Sequence, residues 1–168
     1  MLIWILITLG IVALDQISKL LAIAFLKGGE SFVVINKLLR FTYVENYGAA
    51  FGMLDDKRWI FMLLSVIGIL AMCVFLFKFA KDDKLLAISL CFVIGGGIGN
   101  MIDRVRLGFV VDFIDVYAFP NLWMWVFNIA DSFVCIGAGL MILYLVLDTV
   151  KETRAKKAIS GEDKRDDV

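Results

Sequence analysis

Four long apolar runs limit what this chain can become. They cover residues 2–26, 59–80, 85–102 and 125–147. A hydrocarbon core of about 30 Å takes about 20 helical residues, so each run is long enough to cross, the third only just. Hydrophobic residues make up 61% of the 168, against about 45–50% in soluble domains. A four-span helical membrane protein is therefore predicted. Lys78, near the end of the second run, can snorkel to the interface. The first run is not read as a cleavable leader. No Lys or Arg precedes it, it is too long, and no small-x-small site follows.

The connections between the runs are unequal. Residues 81–84, "KDDK", make a tight helical hairpin, whereas 27–58 and 104–124 are long. Within the first long connection, "SFVVI" and "LLRFTYVEN" are β-branched and aromatic with partial alternation. Leu39, Phe41 and Tyr43 fall on one face, Arg40 and Thr42 on the other. A small antiparallel sheet on the membrane surface is expected there. The second long connection contains "FVVDFIDVYAFPNLW" and reads as an interfacial segment, with Trp123 and Trp125 at headgroup level. Residues 1–150 form one membrane domain, and 151–168 a charged tail expected to be disordered at its end. An even number of spans puts both termini on one side. Basic residues near the spans are equally numerous on the two sides, so charge bias leaves the orientation open.

Composition also excludes. With zero net charge there is no basic field for nucleic acid. Without a histidine there is no Ser-His or Cys-His pair and no His-containing zinc motif. Cys73, Cys91 and Cys135 each lie in an apolar run at spacings that match neither a zinc site nor a disulfide framework, and are expected as buried small hydrophobes. No metal or organic cofactor is indicated.

Ionisable residues inside a span are costly and point to function. The first span holds Asp15 and Lys19, four apart and so able to pair on one helix face. Such a pair either fixes the span or faces substrate. The third span ends in Asp103-Arg104, and the fourth holds Asp131, about two turns in from the same side. These two acids lie at similar depth on antiparallel spans. Either they form one site or each is a structural acid. Gly95, Gly96, Gly97 and Gly99 permit close helix approach. Asn100 and Asn128 each precede one of the acids by three residues, on its helix face. Two carboxyls a few ångströms apart share a proton, so one can activate water while the other donates to a carbonyl. Two rival readings exist. Ser18 and Lys19 are adjacent and do not face each other on a helix, which disfavours a Ser-Lys dyad. A proton- or cation-coupled transporter also uses intramembrane acids, but would more often show related halves, and no internal repeat is found. Asp112 and Asp115 read as structural or interfacial rather than catalytic.

Five motifs occur in order: "DQISK" (15–19), "NYGAAFG" (46–52), "GGGIGNMIDR" (95–104), "VVDFIDV" (110–116) and "FNIADSF" (127–133). Together, over residues 1 to about 150, they resemble the bacterial lipoprotein signal peptidases, or signal peptidase II. The resemblance implies an aspartic endopeptidase of the cytoplasmic (inner) membrane. Its substrate is a prolipoprotein that already carries diacylglycerol on cysteine, cut just before that cysteine. It implies a catalytic pair at Asp103 and Asp131. It also implies dyad-supporting or substrate-binding roles for Asp15, Lys19, Asn46, Gly48, Asn100, Arg104, Asn128 and Ala130. Both termini are then cytoplasmic, with the active site near the outer face against membrane lipid. The enzyme is expected as a monomer without cofactor, with the 46–52 loop over the dyad and the 110–116 segment closing as a lid.

Overall fold

The computed structural model describes residues 1–48, 58–118 and 125–166. The chain order is α1 (Leu2–Leu26), β1 (Phe32–Ile35), β2 (Leu39–Asn46), α2 (Arg58–Phe75), α3 (Lys84–Leu107), β3 (Val110–Val116), β4 (Val126–Phe127) and α4 (Ile129–Asp166). A π-helical turn, Leu76–Ala80, ends α2. All four helices are long and apolar enough to cross a membrane. Leu63, Leu64, Ile67, Leu70, Ile142 and Leu143 are exposed along α2 and α4, as befits surfaces that meet hydrocarbon rather than water. Cys135 is exposed on that outer surface too, whereas Cys91 is buried as expected and Cys73 is half-buried.

Helix α3 is the centre of the bundle and packs against α1, α2 and α4. Its glycines explain why. Successive helix residues point about 100° apart, so three consecutive glycines address three neighbours. A side-chain carbon at Gly95 would lie 2.9 Å from Ile11 of α1, one at Gly96 would strike the Ala130 carbonyl of α4, and one at Gly97 would lie 3.3 Å from Ile69 of α2. Without side chains at these positions the backbones approach closely, and dispersion contacts hold the bundle where no hydrophobic drive operates. One apolar cluster closes the end of the bundle near the termini. There Trp4, Leu76, Ala80, Ala87, Leu90, Cys91 and Ile94 pack together, and the Trp4 indole donates to the Lys81 carbonyl at 3.1 Å.

At the other end lies a four-stranded antiparallel sheet in the order β1-β2-β3-β4. The sheet is larger than expected. The 104–124 connection contributes β3, which pairs with β2 on one edge and β4 on the other. Its Val110, Val111, Asp112, Phe113 and Asp115 are buried. A strand fixed on both edges is not a lid, so that expectation is corrected. The cause is the β-branched run itself, whose alternate residues Val111 and Phe113 join Ala22 of α1 in a second apolar cluster. Trp123 lies outside the described residues, and Trp125 is exposed just before β4. Arg40 of β2 bonds Asp115 of β3 at 2.6 Å, across the pair in which they are partners.

Two boundaries differ from the sequence reading, both near the charged residues. Helix α3 continues past 102 to Leu107, ending at Gly108 in the left-handed region (φ 83°), whose N–H bonds the Arg104 carbonyl. Helix α4 starts at Ile129, not 125, because residues 126–127 belong to the sheet. It then runs through the expected disordered tail to Asp166.

The glycine contacts predict a contrast. Gly96→Ala puts a methyl into the backbone of α4 and should cost about 2 kcal/mol or more. Gly97→Ala meets only the flexible end of Ile69 and should be nearly neutral. Thermal denaturation in detergent would separate them.

Candidate active site

The site is assembled where the C-terminal halves of α1 and α3, the start of α4 and the middle of β3 converge. Its base is the Lys19 ammonium, 2% exposed. An ammonium has three protons to donate. Lys19 Nζ lies 2.9 Å from each of three oxygens: Asp15 Oδ2, Asp103 Oδ2 and Asn100 Oδ1. The two carboxylates are fully engaged as well. Asp15 Oδ1 accepts the Ala130 N–H at 2.9 Å, tying α1 to the first turn of α4. Asp103 Oδ2 accepts the Val111 N–H at 3.1 Å, tying α3 to β3. Gln16 Nε2 reaches Asp15 Oδ2, Gly99 O and Asp103 Oδ1 at 3.2, 3.1 and 3.0 Å. Gly99 is needed here, since a side-chain carbon at that position would stand 2.5 Å from Asp15 Oδ2.

Asp131 is the third residue of α4, not two turns in, and its surroundings form a capping box. Asn128 Oδ1 accepts the Asp131 N–H at 2.9 Å, and Asp131 Oδ2 accepts the Asn128 N–H at 3.2 Å. The first turn of a helix favours negative charge. Asp131 is half-buried, so water can reach it. Its other oxygen accepts from Asn100 Nδ2 at 2.7 Å.

The acid that shares this corner with Asp131 is Asp112 of β3. Asn128 Nδ2 donates to Asp112 Oδ1 at 2.6 Å while the same residue caps Asp131. Asn46 Nδ2 donates to Asp112 Oδ2 at 2.8 Å. Asp112 is 1% exposed. Burial pushes its carboxyl up to about 6, and the neighbouring Asp131 charge adds to the rise. The bonds from Asn46 and Asn128 and the Lys19 charge oppose it. Asp103, by contrast, is held by the Lys19 ammonium, Gln16 and a backbone N–H.

Three asparagines thus surround the two acids in one pattern. Each carbonyl oxygen is occupied by a group that can only donate, so each amide nitrogen must face an acid. For Asn46 the donor is the Gly48 N–H, at 2.9 Å. For Asn128 it is the Asp131 N–H, and for Asn100 the Lys19 ammonium. Gly48 adopts φ 124°, which disfavours any side chain. Arg104 bonds only the Asn100 carbonyl of its own helix, at 3.3 Å, and among the described residues meets no carboxylate. Residues 49–52 of the expected loop over the dyad lie outside the described residues. Sequence reasoning passed over Gln16 and set Asp112 aside. The available signal was an aspartate at a core-facing position of a β-branched strand. In the same way, Asn128-x-x-Asp131 was read as a shared helix face when it is also a helix-start signature.

The two acids of the third span and β3 should behave oppositely in stability. The folded-state value of about 6 for Asp112 exceeds the unfolded value of about 3.9. The stability it contributes is therefore complete below about pH 4 and lost as pH rises through about 6. Asp112→Asn removes this slope and should gain on wild type by up to about 3 kcal/mol between pH 4 and 7. Asp103→Asn leaves Lys19 with one carboxylate and should cost about 3 kcal/mol near pH 7. Denaturation across pH would test both.

Known proteins share the sequence pattern and the fold. The family model for signal peptidase (SPase) II matches residues 7–147. A bacterial membrane enzyme solved by the in meso method at 2.3 Å resolution is 38% identical. The match covers 87% of this chain and 88% of that one, with a TM-score of 0.73. A second such structure, at 1.9 Å, is also 38% identical over 84% of this chain and 91% of that one, with a TM-score of 0.75. The match takes in all four spans and the sheet between them, and the chain belongs to the signal peptidase II family, aspartic peptidases that cleave lipoprotein signal peptides in the bacterial inner membrane.

Proposed function

We propose that Asp112 and Asp131 are the acid pair with which this chain removes the signal peptide from a diacylglyceryl-modified prolipoprotein, by hydrolysis just before the lipidated cysteine. The observation that carries this assignment is Asn128, which binds both acids at once. It replaces the Asp103–Asp131 pairing expected from sequence. Asp103 is committed to a buried ammonium and two further donors, which supports a positioning role.

The chemistry follows from the two environments. Asp112, buried and raised to about 6, is the proton donor. Asp131, in an anion-favouring first turn and accepting two N–H groups, is the base. Asp131 takes a proton from water as its oxygen attacks the scissile carbonyl carbon, and Asp112 passes its proton to the carbonyl oxygen. The resulting diol collapses, the C–N bond breaks, and the cysteine nitrogen leaves with the proton held by Asp131. Asp112 recovers its proton from the diol. No nucleophilic side chain is required.

Among the described residues the Arg104 guanidinium has no carboxylate partner and bonds the Asn100 carbonyl. It suits carbonyl oxygens of an extended peptide. Asn46 and Gly48 at the end of β2 would line the peptide's path, while the exposed apolar strand β1 offers a surface for lipid. The sheet and acid pair share the end of the bundle opposite the termini, which supports cytoplasmic termini and a site at the outer face.

Cleavage of a diacylglyceryl-cysteine lipobox peptide in detergent tests the assignment. Asp112→Asn and Asp131→Asn should each lose at least about 10³-fold in kcat. Asp103→Asn should retain measurable cleavage in whatever fraction stays folded. Arg104→Ala should lose about tenfold or more in kcat/KM with an unchanged melting temperature. Full activity in Asp112→Asn would return the pair to Asp103 and Asp131.

A further inference from the structure

Among the three asparagines, Asn100 differs in what fixes it. Asn46 and Asn128 are oriented by backbone N–H groups close in sequence. Asn100 Oδ1 is oriented by a side chain from another helix, the Lys19 ammonium of α1 at 2.9 Å, with Asn128 Nδ2 adding a second donor at 3.1 Å. An amide whose oxygen is pinned in this way has only its NH₂ left for Asp131, and Nδ2 meets Asp131 Oδ1 at 2.7 Å. Turned over, the amide would set oxygen against a carboxylate and NH₂ against an ammonium.

We infer that Lys19 is a positioning residue for the reaction, acting on Asp131 through the amide of Asn100, whose polarity it fixes. This rests on the Asp112–Asp131 reading and deepens it. The ammonium does not touch either acid of the pair among its hydrogen bonds. It reaches Asp131 through one intervening side chain. With Asn100 so turned, the groups bonded to the Asp131 and Asp112 carboxyls among the described residues are all N–H groups with no lone pair to take a proton. None of those partners can accept the proton the pair shares, so it passes only between the acids and to what enters the site.

Other charged groups around Asp131 do not substitute for this link. Asp15 of α1 holds the Ala130 N–H, Asp103 of α3 holds the Val111 N–H, and Glu45 of β2 is turned to Lys27, Tyr43 and Tyr47. Arg104 bonds the Asn100 backbone rather than its amide, and Asp115 bonds Arg40.

The test is a double-mutant cycle on the full chain in detergent, with the diacylglyceryl-cysteine lipobox peptide as substrate. Asn100→Ala, Lys19→Met and the double variant are compared for kcat and KM. Each single change should lower kcat by about 10- to 100-fold, the loss of one charge-assisted hydrogen bond, with KM within about twofold. The double variant should be no worse than either single one, because both break the same link. Multiplying losses, or a loss in KM rather than kcat, would overturn the proposal. Should Lys19→Met not fold, Lys19→Met/Asp103→Leu takes its place. That pair removes one charge of each sign, and the same criterion applies to it in the wild-type and Asn100→Ala backgrounds. Failure of the underlying reading is distinguishable, since it would appear as cleavage by Asp112→Asn or Asp131→Asn whatever Lys19 does.

Discussion

A single ammonium, buried among apolar helices, governs the architecture of this protein. A charge taken out of water is costly unless it is paired and hydrogen-bonded. Lys19 meets that condition with an acceptor for each of its three protons. Two of the acceptors are carboxylates, so the cluster carries excess negative charge, and that excess is met by backbone. Asp15 takes the Ala130 N–H and Asp103 takes the Val111 N–H, with Gln16 bridging both acids. Removing any member would leave a buried group without its partner. Three helices and a strand are thereby fixed to one another by groups that have nowhere else to bond.

The glycines of α3 make that cluster possible. Gly95 and Gly96 let α1 and α4 approach on different sides, and Gly99 leaves the space occupied by Asp15. Once Ala130 is held, the start of α4 is fixed, and its capping box sets Asp131. Once Val111 is held, the next residue on β3 is Asp112. The acid pair is therefore positioned from two directions by one buried salt-bridge cluster. Its own surroundings differ from that cluster. Among the described residues Asp112 has no cation bonded to it, and burial raises it, whereas Asp103 is bonded to Lys19. The two aspartates lie at the same end of the bundle, and only Asp103 is bonded to the Lys19 ammonium.

Much of this was legible in the sequence. The spans followed from run length, and the pairing of Asp15 with Lys19 from helical spacing. The β1–β2 hairpin followed from alternation. Less legible was partner choice across elements. Depth on adjacent helices pairs Asp103 with Asp131 as long as the 104–124 connection is an interfacial segment. As a strand, it delivers Asp112 instead. Pairing of β3 with β2 is a contact over some seventy residues of chain, with registers such as Glu45 to Val111 and Asn46 to Val110, and no local pattern announces it. Shifting the start of α4 from 125 to Ile129 had a similar origin, since the two residues of β4 are apolar and continue the run without a break. The capping signature at Asn128 was the local clue that could have corrected it.

On the proposed assignment the scissile carbonyl is held between Asp112 and Asp131 while Asp103 stays on Lys19. The most direct measurement is a structure of the protein with a non-cleavable lipobox peptide that carries a hydroxyethylene group in place of the bond before the diacylglyceryl-cysteine. The hydroxyl should lie within about 3 Å of a carboxyl oxygen of both Asp112 and Asp131, with the Lys19–Asp103 contact intact. A hydroxyl bound between Asp103 and Asp131, with Lys19 displaced from Asp103, would contradict it.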